Sequence, residues 1–476
     1  MIKYLDESLS EFRGCFSRKA TFEWFVAIVV GLLVRTDHLG VTSVIRGLFL
    51  STEYVSLLGF FRSRAWKLEN LTAKWCSVVS RHAPLVRVNG AVVMVGDGVK
   101  QSKEGRRMPG VKRQHQESED SSKAEYMFGH LFGGVGILAE TARKCFCIPL
   151  ALRLQDGVKT IFGWGEKEER QASHVVEMIR LAYSQAVRFG KSILLLDRLF
   201  LTVPALQTLD EVNAGGHLMN IITKAKSNCI AYEPPEIAPG KRGRPKKKGE
   251  KIKLFDMFAA KRDRFINAEI CLYGKPEQVR YYCVDLLWGQ SLYKNLRFVL
   301  VEYNNTRSIL VSTDLMLEPI SIIELYGRRF CIEIMFREMK QVICSFGYRF
   351  WSKHMPKLNR FKKKTDPDPL DEITDQRAKN RITLAIKAIE GFVFCATVAT
   401  GLLQMVSLTF SGTDELGHLR FLRTRRNAVV SEATVADFLR KNFFRLLLIH
   451  PDLPITRIIS DKQSQHIESQ GVPVAS

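Results

Sequence analysis

Paired cysteines are missing from this sequence of 476 residues. Its ten cysteines are scattered without a CxxC pair, and Cys145 and Cys147 are the two closest in sequence. This distribution favours neither a zinc site nor a disulfide framework. Free thiols are typical of a reducing cytoplasm, so we expect a cytoplasmic protein that buries a full core without disulfides.

Long apolar runs are also scarce. Charged Lys3, Asp6 and Glu7 precede the first run, residues 25–34, which is too short to span a membrane, so we expect no signal peptide. Residues 391–410 carry no formal charge, yet their threonine, serine and glutamine side chains make them less apolar than most membrane spans. A buried core helix is the favoured interpretation of this segment, and a membrane helix is the alternative.

Acidic residues are outnumbered by basic ones. The chain has 71 Lys and Arg against 49 Asp and Glu, which leaves a net charge of +22. Such a surplus usually serves a polyanion, with nucleic acid as the first candidate, although basic proteins of membrane surfaces share it. The length is sufficient for roughly three domains of ~150 residues each.

The N-terminal region follows a helical pattern of apolar residues. It predicts a small α-helical domain over residues 1–85, in which residues 38–48 (HLGVTSVIRGL) loosely fit a helix-turn-helix. One hypothesis is that this domain binds DNA ends; the alternative is a helical bundle that only supports the next domain. Its basic side chains are Arg46, Arg62, Arg64, Lys67 and Lys74.

Two aspartates each follow a short apolar run that is typical of a buried strand. Residues 90–95 (GAVVMV) precede Asp97, and residues 192–196 (SILLL) precede Asp197. Ligands collect at the carboxyl ends of strands in α/β sheets, so we expect these carboxylates to share a site. For Asp97 the alternative is an Asp-Gly turn without chemistry. The segments expected between the aspartates are strands over residues 126–138 and 145–154, paired as a hairpin, and a helix over residues 173–189.

A third carboxylate lies on a segment predicted to be one helix, residues 326–340 (YGRRFCIEIMFREMK). A polar stripe within an arc of roughly 80° contains one carboxylate, three cations and a phenol. Such a stripe suits a phosphodiester, because the carboxylate can hold a divalent metal while the cations hold phosphate oxygens. The alternative is a solvated face of i,i+4 ion pairs. The stripe consists of Tyr326, Arg329, Glu333, Arg337 and Lys340.

The order of these elements is that of an RNase H-like domain, in which three carboxylates hold two divalent ions for phosphoryl transfer. Asp97, Asp197 and Glu333, with the spacing Tyr326-x2-Arg329-x3-Glu333-x6-Lys340, resemble the DDE transposases of bacterial insertion sequences. The spacing is similar to the Y-(2)-R-(3)-E-(6)-K signature that marks one group of them. The resemblance covers roughly residues 20–410.

The resemblance implies a function and a set of roles. Asp97, Asp197 and Glu333 would be catalytic and bind two Mg²⁺ ions, for which Mn²⁺ can substitute, while Tyr326, Arg329 and Lys340 would position phosphates of the transposon end. The enzyme would cleave terminal inverted repeats and transfer the 3′ hydroxyl to target DNA, as a homodimer on double-stranded DNA in the bacterial nucleoid, with no membrane partner. Two alternatives stay open: a non-catalytic DNA-binding protein derived from a transposase, and an RNase H-like nuclease without strand transfer.

The interval between Asp197 and Glu333 is far longer than a plain RNase H-like core needs, and it resembles the β-rich insertion of relatives. It contains KRGRPKKKGEKIK, residues 241–253, whose RGRP core resembles an AT-hook. Phosphate contact without sequence reading is favoured there, and a solubilising charge run is the alternative. Trp288 is a candidate stacking partner for an extruded base, with a core tryptophan as the favoured alternative.

Predicted DNA contacts outside the signature helix fall in two segments. The residues are Lys100, Arg106, Arg107, Lys112 and Arg113 in a long loop over residues 100–123, and Lys241, Arg242, Arg244, Lys246, Lys247 and Lys248 in the insertion. Arg337 joins them from the stripe.

The sequence therefore predicts an α/β fold with an RNase H-like catalytic core, an N-terminal α-helical domain and a β-rich insertion between the second Asp and the Glu. A polar, proline-broken segment starting near residue 348 is expected to be a linker. The expected division is 1–85 for the helical N-terminal domain, 86–223 and 319–410 for the two parts of the catalytic core, 224–318 for the insertion and 411–476 for a helical C-terminal tail.

Overall fold

The chain folds into a mixed α/β structure with a central mixed sheet. The computed structural model describes residues 1–50, 54–116, 124–141, 144–164, 173–235, 246–272, 274–361, 366–411, 416 and 429–469, without the side chains of 464–469. The strands are β1 Arg87–Val88, β2 Ala91–Ser102, β3 Lys112–His115, β4 Tyr126–Thr141, β5 Lys144–Leu154, β6 Ser192–Leu195, β7 Met219–Lys224, β8 Ile230–Tyr232, β9 Lys251–Lys253, β10 Ile266–Leu272, β11 Lys275–Trp288, β12 Lys294–Tyr303 and β13 Thr306–Ser312.

Helices precede, interrupt and follow the strands. They are α1 Ile2–Ser10, α2 Lys19–Val34, α3 Thr42–Leu48, α4 Tyr54–Arg62, α5 Leu68–His82, α6 Lys159–Phe162, α7 His174–Ala186, α8 Val203–Asn213, α9 Met257–Ala260, α10 Pro319–Arg328, α11 Cys331–Gln341, α12 Gln376–Phe410, α13 Glu432–Ile449 and α14 Pro454–Ser469.

The first half of the sheet has the strand order β5-β4-β2-β6-β7. The β4–β5 and β2–β4 pairs are antiparallel, whereas β2, β6 and β7 are mutually parallel. The predicted hairpin is therefore confirmed as β4 and β5, and the predicted helix is confirmed as α7. Since parallel neighbours need a crossover, α7 and α8 lie in the connections that lead to β6 and β7.

Strand β2 is longer than the sequence pattern indicates. We expected the chain to leave the sheet at Gly96 to Gly98, but β2 continues to Ser102 because its second half pairs with β4, from Asp97 opposite Gly134 to Ser102 opposite Gly129. Asp97 thus lies within a strand rather than at its end. The glycines serve close packing here instead of a turn.

The prediction of a long loop over residues 100–123 is also wrong for part of residues 100–116, because residues 100–102 and 112–115 belong to strands. Lys100 belongs to β2, and β3 pairs antiparallel with the start of β4, with Lys112 opposite Gly129. The irregular chain between the two strands covers residues 103–111. Residues 117–123 lie outside the described part.

The insertion extends the same sheet. Strand β13 pairs antiparallel with β7, and β12, β11 and β8 continue outward to β9. Its apolar residues form a second core cluster around Phe258, Leu296 and Phe298, separate from the main core. The β-rich character predicted for this region agrees with the strands described there.

The long helix α12 contains the uncharged segment that raised the membrane question. It is the one helix among the described residues that is long and apolar enough to cross a membrane. In its apolar 18-residue stretch, 78% is buried inside the protein. Close packing explains the burial: a Cβ at Gly391 would lie 2.8 Å from the Trp66 ring, and one at Gly401 would lie 2.3 Å from the Trp75 ring. Two tryptophans of the N-terminal region thus fit into grooves of α12, which supports the core-helix interpretation.

The N-terminal helices share the main core with the first half of the sheet and with α12. Helix α2 is buried on most sides, and the buried Arg35 at its end donates to the Ile343 carbonyl at 2.5 Å, just beyond α11. Helix α13 packs on α12 and α2, and α14 packs on α2. The terminal helices therefore support the helix that carries Glu333.

Candidate active site

Asp97 and Asp197 are neighbours because of the parallel register between β2 and β6. Val95 lies opposite Leu195, so continuing the register by two residues places Asp197 beside Asp97. Asp197 follows the end of β6, where the Thr223 hydroxyl donates to its backbone carbonyl at 2.8 Å. This register brings together the two aspartates that we expected to share a site.

Glycines of β4 let α11 approach the sheet directly beside Asp97. Gly134 is the cross-strand partner of Asp97, and a Cβ there would lie 2.8 Å from the Phe336 ring. At Gly136 a Cβ would lie 2.4 Å from Cys147 Sγ and 3.3 Å from Met335 Sδ. Phe336 and Met335 belong to the buried face of α11, whereas Cys147 belongs to β5, so the two glycines allow this helix to bring Glu333 over the strand.

The predicted single helix over residues 326–340 is in fact two helices. Helix α10 ends at Arg328 and α11 begins at Cys331, with i,i+3 backbone hydrogen bonds such as Ile332 N to Arg329 O across the break. The two helices lie on different parts of the sheet: α10 packs on β7, β10, β12 and β13, and α11 on β2 and β5. Because a large sheet twists, one straight helix cannot follow both surfaces.

Arg329, at this break, joins the carboxylates. Its guanidinium donates to Glu333 Oε1 at 2.7 Å, lies 3.5 Å from Asp97 Oδ2, and also hydrogen-bonds the Tyr326 side chain. Arg329 is largely buried, with 16% of its side chain exposed. The guanidinium therefore lies between the first and third carboxylates of the predicted triad.

The electrostatic environment of Asp97 agrees with a position close to Asp197 and Glu333. Burial, together with the charges of Asp197 and Glu333, raises the pKa of Asp97 to about 6, against the lowering effects of the Gly98 amide and Arg329. Burial likewise raises the pKa of Tyr326 to about 12, and Asp197 acts in the same direction. Three carboxylates, a phenol and one guanidinium thus form a cluster with excess negative charge.

The donors of this cluster suit a hard divalent cation, which prefers carboxylate oxygens. A cation would also relieve the repulsion that Asp197 and Glu333 exert on Asp97. Nevertheless, no group of three or more His, Cys, Asp or Glu side chains among the described residues is placed to hold a metal ion. The physical reason is Arg329, whose guanidinium fills the space between Asp97 and Glu333.

Comparison with known proteins bears directly on this cluster. Residues 11–263, just over half of the chain, match a family model described as DDE superfamily endonuclease. The chain belongs to the DDE superfamily of endonucleases. Enzymes of this superfamily generally use divalent metal ions, and the family implies a DNA substrate. Neither a curated protein nor a solved structure was found to match the chain.

The DDE family match includes Asp97 and Asp197 but ends before Glu333. Glu333 therefore remains the candidate third carboxylate through its spacing in the sequence, its shared contact with Arg329 and its charge effect on Asp97. The two other cations of the predicted stripe, Lys340 and Arg337, differ in their surroundings. Lys340 Nζ donates to the Lys100 carbonyl at 3.2 Å, whereas Arg337 pairs with Glu338 at 2.9 Å on the exposed side of α11.

The basic residues predicted to face DNA between β2 and β4 have intramolecular partners. Arg106 Nε donates to the Leu358 carbonyl at 2.8 Å, and Arg107 Nη1 donates to the carbonyls of Lys353 and Met355 at 2.8 and 3.0 Å. These contacts fix the segment after α11, in which Tyr348, Phe350 and Met355 are buried, so the predicted linker is a packed part of the fold.

Three other predicted contacts of this DDE endonuclease are exposed cations on neighbouring strands. Lys100 Nζ donates to the His115 carbonyl at 2.8 Å, and Lys112 pairs with Asp156 at 2.6 Å. Arg113 lies over the Tyr126 ring, 3.9 Å from its centroid. None of these contacts prevents an approach of phosphate to the solvent side of the cation.

In the insertion, Lys241, Arg242 and Arg244 lie outside the described residues. Lys246 and Lys247 are the first two residues of the described range 246–272. Lys248 lies over the rings of Tyr232 and Tyr293, 4.2 and 5.2 Å from their centroids. Trp288 packs against the second core cluster and shares a hydrogen bond with Cys229. That setting favours the core interpretation of Trp288 over base stacking.

Sequence reasoning missed a basic surface beyond the C-terminal end of α11. Trp351 is 63% exposed there, and Arg349, Arg377 and Arg381 line cavities beside it. Their positions come from the packed segment after α11 and from the first turns of α12, which are far apart in sequence. No local sequence pattern signals this surface, because its residues come together only in the folded chain.

Proposed function

We propose that this DDE endonuclease is a cut-and-paste transposase, which cleaves DNA at the terminal inverted repeats of its element and joins the freed 3′ hydroxyl to target DNA. The observation that carries the proposal is the convergence of Asp197 and Glu333 on Asp97, with Arg329 between Asp97 and Glu333. Further support comes from the core strand order, which follows the RNase H-like pattern of three antiparallel strands and two parallel ones.

The three carboxylates would hold two Mg²⁺ ions, or Mn²⁺ in their place. Bound there, the ions would activate the attacking oxygen and stabilise the leaving one. Water is the nucleophile in the cleavage step, and the liberated 3′ hydroxyl is the nucleophile in the joining step. No covalent protein intermediate is needed in either step, and a dimer bound to both transposon ends accounts for paired cleavage.

Arg329 has a second role in this proposal. Its planar guanidinium fits two phosphate oxygens, and exchanging the carboxylates for a phosphate would open the space between Asp97 and Glu333. Lys340, about two turns after Glu333 on α11, would hold another phosphate of the same DNA, and Tyr326 would keep Arg329 aligned through their hydrogen bond. Substrate binding and completion of the metal site would thus be coupled.

The position of Arg329 also supports a second candidate function. A guanidinium that stays between the carboxylates would leave a non-catalytic DNA-binding protein in the nucleoid. The two candidates differ in one measurable property. The transposase binds divalent ions in the presence of DNA, and Asp97→Ala weakens that binding; the non-catalytic protein shows no such ion binding.

The proposed function is tested with the DNA that flanks the protein's own gene, incubated with Mg²⁺. We expect cuts at the element's ends, abolished by Asp97→Ala, Asp197→Ala or Glu333→Ala, with end binding nearly intact because removing a carboxylate reduces repulsion of phosphates. Glu211→Ala is the matched control, since this exposed glutamate on α8 is remote from the sequence motif.

Strand transfer is measured separately with pre-nicked ends and a target plasmid. Joining of the 3′ end supports the transposase, whereas cutting without joining would indicate an RNase H-like nuclease. A triad variant that cuts at the wild-type rate would remove that residue from the catalytic set.

A further inference from the structure

Two adjoining cavities lie beyond the C-terminal end of α11, and both are lined by Arg349 and Trp351. The larger, about 1100 Å³, begins at Lys340 and reaches Lys103. The smaller, about 410 Å³, lies between α4 and the start of α12, at Arg377 and Arg381. We name the two cavities together the Trp351 groove.

The Trp351 groove is strongly basic. Lys103 and Lys340 line its larger part, and Arg377 and Arg381 its smaller part. Among the described residues that line the two cavities, Glu104 is the one acidic side chain. Such one-signed charge along a channel is complementary to a phosphate backbone.

The groove begins a short distance from the carboxylates. Lys340 follows Glu333 by seven residues on α11, which is about 10 Å at 1.5 Å per residue. The Lys340 amine donates to the carbonyl of Lys100, which follows Asp97 by three residues on β2, again about 10 Å. One DNA strand rises about 3.4 Å per nucleotide, so the groove starts about three nucleotides from a phosphate at the carboxylates.

Trp351 is an exposed side chain on a well-packed segment of the backbone. Its neighbours Phe350 and Ser352 are buried, and the Ser352 amide donates to the Arg107 carbonyl at 3.2 Å. Nearby, Lys103 Nζ donates to the Tyr348 carbonyl at 3.1 Å. An indole held by such a rigid segment and left open to solvent is a platform on which an unpaired base can stack.

We propose that the Trp351 groove binds an unpaired segment of DNA about three nucleotides from the carboxylates, with one base stacked on Trp351 and its phosphates held by Arg377 and Arg381. The proposal rests on the proposed function in taking this segment to be part of the cleaved DNA. It assigns the stacking role to Trp351 and not to Trp288, which packs on the insertion's core.

The experiment uses a short DNA duplex with an unpaired tail of about three nucleotides that carries 2-aminopurine, and the same duplex with a blunt end, both without divalent ions. The wild-type protein is expected to quench the 2-aminopurine fluorescence and to bind the tailed duplex more tightly. Trp351→Ala should abolish quenching and weaken binding of the tailed duplex roughly 5- to 150-fold, the usual range for one base stacked on an aromatic side chain, with little change for the blunt duplex.

Matched variants separate stacking from charge and from folding. Trp351→Phe should retain most of the preference for the tailed duplex, because a phenyl ring still stacks. Arg377→Gln with Arg381→Gln should weaken tailed binding, whereas Arg188→Gln, an exposed arginine just after α7, should not. Melting temperatures of all variants should stay near that of the wild type, because each changed side chain is exposed.

An equal loss for tailed and blunt duplexes in Trp351→Ala, or no loss for either, would overturn the proposal. The outcome is independent of cleavage. If the wild type cuts element ends while Trp351→Ala keeps the tail preference, the groove assignment fails and the transposase stands. If the tail preference depends on Trp351 but no cutting occurs, the transposase fails and the groove stands.

Discussion

The carboxylate cluster and the Trp351 groove lie toward opposite ends of α11 and are built by different means. In the cluster, strand register and glycines fix three acids and one guanidinium against the sheet. In the groove, exposed cations and one indole project from a loop and from the ends of helices. Changes in packing should therefore disrupt the geometry of the cluster, whereas changes in charge should alter DNA binding by the groove.

Apart from removal of the three carboxylates, which should abolish cleavage, the largest effect is expected from Gly134→Ala. The added methyl group would meet the Phe336 ring at 2.8 Å and move α11 away from Asp97. Overpacking of this kind costs about 1–3 kcal/mol of stability, and misplacing Glu333 by an ångström can reduce cleavage about 10²-fold. Melting temperature and cleavage rate on the same preparation measure both effects.

Two variants control this prediction. Gly59→Ala, where no atom lies within 4 Å of the added Cβ in α4, should keep cleavage unchanged and raise the melting temperature slightly. Adding Phe336→Leu to Gly134→Ala should restore part of the lost cleavage, because a smaller side chain makes room for the methyl group. If Gly134→Ala alone cuts normally, the close approach of α11 is not needed for catalysis.

The second prediction concerns Arg329→Lys, which keeps the charge but not the planar fork. Lysine cannot bind Glu333, Asp97 and Tyr326 together, nor hold two phosphate oxygens, so cleavage should fall about 10²-fold while divalent-ion binding survives. Lys340→Arg should have a milder effect, since Lys340 touches one backbone carbonyl. Cleavage rates and ion titrations of the two variants test this order.

An ion-pair ladder on a solvated helix face would give another result. Arg329→Lys would then change stability by less than about 0.5 kcal/mol and leave cleavage intact. That outcome would mean that the stripe is a solvated helix face without a role in cleavage, and it would weaken the transposase proposal.

The carboxylate cluster was largely predictable because its information is local. Each aspartate follows its own apolar run, and a parallel register of two such runs aligns Asp97 with Asp197. Glu333 was predictable from the spacing of its neighbours on one helical face. The break at Arg329 was not, because it depends on the twist of a sheet whose outer strands come from the insertion.

The groove could not be predicted from local pattern. Trp351 is exposed only because Phe350 and Ser352 turn inward, and that alternation depends on contacts with Arg107, far away in sequence. The continuation of β2 past Asp97 was missed for a similar reason, since its partner Gly134 lies on another strand. In both cases the contact that determines the local structure joins residues far apart in sequence. The periodicity of apolar residues indicates only which face of a helix or strand is buried.

The third prediction uses pH to perturb the base of the groove. Buried His130 hydrogen-bonds the Tyr348 hydroxyl at 2.6 Å and the Pro109 carbonyl at 2.9 Å. Burial, with the charge of Lys103, lowers the pKa of His130 to about 3. The unfolded chain binds this proton more readily, so the free energy of unfolding should fall by ~2 kcal/mol as the pH drops from about 6.5 to 5.

His130→Gln isolates that contribution. The variant should be less stable at pH 7, because buried hydrogen bonds are lost, but its stability should fall less between pH 7 and 5 than that of the wild type. Asp97 acts in the opposite direction, because a raised pKa favours the folded protein at lower pH, and it is common to both proteins. Exposed His115→Gln should keep the wild-type acid dependence; parallel curves for all three proteins would contradict the prediction.

The smallest effect is expected from the insertion, which lies outside both regions. Replacing Lys246, Lys247 and Lys248 with Gln removes three cations near the rim of the insertion, and lysines facing phosphates act through counterion release. The slope of log affinity against log salt should therefore become shallower by about one for each lost phosphate contact, equally for element ends and random DNA.

Arg377→Gln with Arg381→Gln, by contrast, should act mainly on tailed DNA. Measuring both sets at several salt concentrations distinguishes a general affinity for DNA from a shaped groove. A loss confined to element ends in the lysine variant would mean that this basic run reads sequence.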